Sequence, residues 1–142
     1  MVAKARRLLC ERVTFPSPPI PGTESIVPIT SKGMLLLEGE LQHNCVADYA
    51  DEIARGRYAV YRVLRPERAT VGLRWLKDHW VLDQMACACN QPPSFESSRA
   101  VREWFNTAML RLLESRGAPQ SRGSASIDDQ LHSNNGMLPF EA

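Results

Sequence analysis

The chain has 142 residues, 44% hydrophobic and 23% charged, which makes room for one small globular domain with tails. A formal net charge of +1 excludes a global basic footprint for nucleic acid, though not a local patch. No apolar run approaches the ~20 residues that span a bilayer. The charged start, with Lys4, Arg6 and Arg7, lacks the apolar stretch of a secretory signal, so a cytoplasmic protein with no membrane partner is expected, its Cys10, Cys45, Cys87 and Cys89 reduced.

Residues 1–29 read as a basic arm followed by a proline-rich strap. Pro16, Pro18, Pro19, Pro21 and Pro28 forbid a regular helix and favour extended or polyproline-type chain. Phe15, Ile20, Ile26 and Val27 are the side chains that would pin the strap to the domain; a free linker is the alternative. Ser31-Lys32-Gly33 reads as a turn before a short apolar element, Met34 to Leu37. A helix is expected from about Cys45 to Arg55, because Val46, Tyr49, Ala50 and Ile53 recur at i, i+3, i+4 and i+7. Asn44 suits its N-cap and Gly56 its stop.

Three strands follow: Arg57 to Leu64, Ala69 to Leu76, and His79 to Met85. Their short connections predict an antiparallel meander, although Lys77-Asp78 lacks the glycine usual in a two-residue turn. In the third strand, alternation sets Trp80, Leu82 and Gln84 against Val81, Asp83 and Met85. Cys87 to Ser94 is irregular. A long helix runs from about Ser98 to Ser115, capped by Ser97 or Ser98, with Val101, Trp104, Phe105, Ala108, Met109 and Leu112 on its apolar face. Residues 117–142 are rich in Ser, Gly, Asn and Gln and read as a disordered tail, with Met137 to Phe140 as a candidate docking segment. The expected fold class is α+β: a helix, a three-stranded antiparallel meander and a long C-terminal helix over residues 30–116, with the proline-rich N-terminal strap.

The segment from Glu38 to Tyr49 carries the densest chemistry. His43, Asn44 and Cys45 fall together where a helix is expected to begin, and a helix N-terminus favours a thiolate. A nucleophilic Cys45 would take His43 or His79 as base and Gln84 or Asn90 as orienter or oxyanion donor. The alternative is a Cys45 that packs beside Tyr49. Gln84 shares its expected strand face with Trp80 and Leu82, and a buried amide must find partners or cost about 1–3 kcal/mol. No cofactor is expected, but His43, Cys45, Cys87 and Cys89 supply the number and types of ligand that zinc takes. Arg62 and Arg74 fall on one sheet face, with Arg57 and Tyr58 near; an exposed arginine face holds single-stranded nucleic acid, and a merely solvated face is the alternative.

The series Glu38-Gly39, Asn44-Cys45-Val46-x-x-Tyr49, Ile53-x-x-Gly56, a strand pair, Gln84-x5-Asn90 and a helix carrying Trp104 resembles the PcfJ-like family, named for a protein of conjugative plasmids. The resemblance covers roughly residues 30–110. Two departures stand out. Thr70-Val71-Gly72 replaces a Thr-Val-Glu-like triplet, which removes a carboxylate, and Met85-Ala86-Cys87-Ala88-Cys89 replaces a basic, glycine-containing stretch. The resemblance implies an accessory protein of a plasmid, phage or other mobile element, with a polar centre of Glu38, His43, Asn44, Cys45, Tyr49, Gln84 and Asn90. Two functions remain open: an enzyme centred on Cys45, and a noncatalytic module that binds nucleic acid or a protein of the transfer or replication machinery.

Overall fold

The computed structural model describes residues 13–116. The basic arm with Cys10, and the tail with Met137 to Phe140, lie outside the described residues. Within them the chain is α+β. Strand β1 (Ile26–Pro28) is followed by helix α1 (Lys32–Gln42), a 3-10 turn (Val46–Tyr49) and helix α2 (Ala50–Ala54). Strands β2 (Tyr58–Val63), β3 (Ala69–Leu76) and β4 (His79–Ala86) come next, then a second 3-10 turn (Ala88–Asn90) and helix α3 (Phe95–Ser115). Among the described residues no helix is long and apolar enough to cross a membrane.

The sheet has four strands, not three, in the order β1-β2-β3-β4, and every pairing is antiparallel. The end of the segment expected to be a strap supplies the extra strand, with Ile26 opposite Val63 and Pro28 opposite Tyr61. Proline is tolerated there because β1 is an edge strand and Pro28 is its last residue. Phe15, Ile20 and Ile26 are buried. The Tyr61 hydroxyl donates to the Ile20 carbonyl at 2.7 Å and accepts the Ile20 N–H at 3.3 Å, which ties the proline-rich chain to β2.

Met34 to Leu37, expected as a short apolar element, is the middle of α1. Ser31 caps this helix by accepting the Met34 N–H at 3.1 Å. Leu35, Glu38 and Gln42 fall at i, i+3 and i+7 and are all buried, so two of the three side chains in the inward stripe are polar. The helix ends at His43, which takes a left-handed conformation (φ 50°) and returns its N–H to Gly39. The expected helix from Cys45 to Arg55 is broken into the four-residue 3-10 turn and the five-residue α2. Helix α3 begins three residues before the expected Ser98: Ser94 is its cap and accepts the Ser97 N–H at 3.1 Å.

Both faces of the sheet are covered. On one, Val46 and Ile53 join Leu35, Tyr58, Val60 and Ala86 beneath α1 and α2. On the other, Val101 and Phe105 of α3 pack on Tyr61, Val63, Val71, Leu73 and Met85. A β-bulge decides which face β4 presents. Gly72 pairs with Gln84 and Leu73 with Leu82, which leaves Asp83 as the extra residue. Alternation therefore slips by one: Trp80, Leu82 and Met85 pack on the α3 side, whereas Asp83 and Gln84 both bond to groups on the α1 side. This corrects the expected grouping of Gln84 with Trp80 and Leu82.

Candidate functional site

The α1-covered face carries a chain of polar and aromatic contacts. Gln84 donates from Nε2 to the Tyr49 hydroxyl at 3.1 Å, across 35 residues of sequence. The Tyr49 ring stacks on Tyr58 with centroids 4.4 Å apart. The Tyr58 hydroxyl donates to Asp83 Oδ2 at 2.9 Å. Arg74 lies over the Tyr58 ring, 4.8 Å from its centroid, and reaches Asp83 at 3.5 Å. Burial, then the charge and hydrogen bond of Asp83, push the Tyr58 phenol well above the ordinary tyrosine range, so it is a proton donor and not a phenolate.

Gly72 makes this packing possible. A Cβ there would fall 2.1 Å from the Tyr58 hydroxyl. The position that the resemblance leaves without a carboxylate is thus filled by a tyrosine, and the bulge brings the Asp83 carboxylate to that tyrosine from the next strand.

Toward the other end of the same face, Glu38 is 1% exposed. Arg68 grips it with both Nη atoms, Nη1 at 3.0 Å from Oε2, and Thr70 Oγ1 donates to the same carboxylate. Arg68 also donates to the Ala69 carbonyl at 2.9 Å. This network fixes the C-terminal half of α1 over β3.

Four amide side chains lie at the end of α1, in the turns packed against it, or on the strand bonded to one of those turns. Gln42 is its last residue and Asn44 lies two residues beyond. Asn44 Oδ1 accepts the Val46 N–H at 3.0 Å in a local Asx turn, whereas the cap position of the 3-10 turn that follows is Cys45, without a side-chain cap bond, so the expected Asn44 cap is not formed. Gln84 is held by Tyr49 of that turn, and Asn90 sits in the second 3-10 turn; both turns pack against α1. Gln42 Oε1, Asn44 Nδ2, Gln84 Oε1 and Asn90 Oδ1 are buried and have no hydrogen-bond partner among the described residues. Gln42 is only 5% exposed.

The cysteines fare differently. Cys45 is half-buried and precedes a 3-10 turn of four residues, too short to sum the aligned dipoles that the thiolate argument requires. His43 is exposed at the left-handed end of α1, and His79 lies at the β3–β4 turn, bonded to Asp78 at 2.9 Å. Neither histidine has a hydrogen bond to Cys45. Cys87 packs beside the core under α3; burial, and then the neighbouring Glu67 carboxylate, push its thiol up. Among the described residues no three His, Cys, Asp or Glu side chains gather as a metal would need, so His43, Cys45, Cys87 and Cys89 do not form the zinc set.

Arg62 and Arg74 do share a sheet face, but it is the face beneath α1 and α2 and not an open one. Arg74 is engaged with Asp83 and Tyr58, and Arg57 is exposed just before β2. Sequence reasoning passed over Gln42, Tyr58, Arg68, Thr70 and Asp83 as parts of this centre. The polar residues at i, i+4 in Glu38 and Gln42 were the one available signal.

A protein-family model described as PcfJ-like protein matches residues 20–101, more than half of the chain. No curated protein and no solved structure matches it.

Proposed function

The chain belongs to the PcfJ-like protein family, and from that premise we propose that it is a noncatalytic, cytoplasmic accessory protein of a mobile genetic element that binds single-stranded nucleic acid of the transfer or replication machinery. The observation that carries the reading is the amide cluster at the end of α1. A buried amide without a partner costs about 1–3 kcal/mol, and Gln42, Asn44, Gln84 and Asn90 each keep such an atom. An unpaired adenine offers two N–H donors on its exocyclic amine and ring-nitrogen acceptors, which two of the three acceptors among these atoms and the one donor would engage. The Tyr49–Gln84 bond and the Glu38–Arg68–Thr70 network hold the cluster in place before binding.

Fluorescence anisotropy with a labelled single-stranded oligodeoxyadenylate tests the reading. The full chain should bind, and Asn90→Ala should weaken binding about tenfold with an unchanged circular dichroism spectrum. Cys45→Ser should bind as the parent does. If Asn90→Ala binds normally, the amide reading is wrong; if Cys45→Ser alone removes function, the cysteine-centred enzyme takes its place.

A further inference from the structure

The β3–β4 hairpin ends in an aromatic pair, of which Trp75 is the exposed member and Trp80 packs on the core. Trp75 faces Trp80 across the two strands, with ring centroids 5.5 Å apart at 62°. Trp75 remains 36% exposed and Leu76 44%. Lys77 turns the chain in a left-handed conformation (φ 54°) and is exposed. The Trp75 N–H bonds to the Arg57 carbonyl at 2.9 Å, so the Arg55-Gly56-Arg57 turn flanks the pair directly. Arg55, Arg57 and Lys77 are exposed; the hairpin carboxylate Asp78 is bonded to His79, and Asp51 and Glu52 precede the arginine turn.

We propose that this tip is a second nucleic-acid contact, in which Trp75 stacks an unpaired base while Arg55, Arg57 and Lys77 meet the adjoining phosphates. An exposed indole on a tip that also carries exposed arginine and lysine has the composition of a single-strand groove. A duplex hides its base faces within the stack, so the available ring selects single strands. Trp75 lies on the same side of the sheet as Leu73 and Trp80, opposite Asp83 and Gln84. The tip therefore stands apart from the amide cluster, and it requires no base-edge recognition.

An oligothymidine separates the two contacts, because thymine lacks an exocyclic amine while every base has a face to stack. With labelled oligothymidine, the full chain should bind and its tryptophan fluorescence should fall on binding. Trp75→Ala should weaken binding about tenfold. Arg57→Ala with Lys77→Ala should reduce the slope of log affinity against log salt by about 1.4, the contribution of two single-strand phosphates. Trp75→Thr, which keeps the strand propensity, serves if the alanine variant does not fold. Unchanged affinity and quenching in a folded Trp75 variant would overturn the tip even if Asn90→Ala still weakens oligodeoxyadenylate binding. The converse result would leave the tip standing and the amide reading fallen. No binding of either oligomer would end both.

Discussion

A carboxylate as buried as Glu38 is tolerable only while its partners hold it. Arg68 does so with two nitrogens from a position about one-third exposed, and Thr70 adds a hydroxyl. Removing one member of such a pair costs more than removing both, because the remaining charge is stranded. Arg68→Ala should lower unfolding stability by on the order of 3 kcal/mol, read as a shifted urea midpoint. Glu38→Leu combined with Arg68→Leu should recover most of that loss. A double variant as unstable as Arg68→Ala would show that the carboxylate is not the source of the cost. The Asp83–Arg74 contact, longer at 3.5 Å and partly solvated on both sides, contributes far less by itself. Its importance lies in orienting the Tyr58 hydroxyl.

At the level of elements, β3 and β4 owe their geometry to one missing side chain and one extra residue. Gly72 leaves room for the Tyr58 ring, whose Cζ would lie 2.6 Å from an added Cβ. Gly72→Ala should destabilise by about 1–3 kcal/mol through overpacking. In a double-mutant cycle with Tyr58→Ala most of that penalty should vanish, and additive effects would contradict the packing account. The elements legible in the sequence were those whose pattern reports packing alone. Strand β2 follows from its Tyr- and Val-rich run, β3 from its apolar alternation, and the apolar face of α3 from its 3.6-residue period. Helix α1 escaped because its inward stripe carries Glu38 and Gln42 and its body carries Gly33 and Gly39, which together mimic a loop. Strand β1 escaped because proline density outweighs an edge pairing of three residues. The bulge at Asp83 is a matter of register between strands, which no single segment encodes, and it moved Gln84 to the other face.

For the molecule as a whole, long-range polar contacts join segments distant in sequence, Arg68 to Glu38 and Gln84 to Tyr49. Of the polar centre that the resemblance implied, Glu38, His43, Asn44, Cys45, Tyr49, Gln84 and Asn90, the fold bonds Tyr49 to Gln84 and packs both 3-10 turns on α1. What the resemblance could not carry were the supporting partners, Arg68, Thr70, Tyr58 and Asp83, because each acts across strands. The attraction of Cys45 came from an expected long helix that the chain breaks into two short pieces. The central claim is that the amide cluster receives a nucleobase. Its most direct measurement is a nitrogen-edited NMR titration of the full chain with single-stranded oligodeoxyadenylate, following the side-chain amide signals. The account predicts that the Gln42, Asn44, Gln84 and Asn90 amides shift together and saturate at one oligomer concentration. Amides that stay unmoved while the oligomer binds would contradict it.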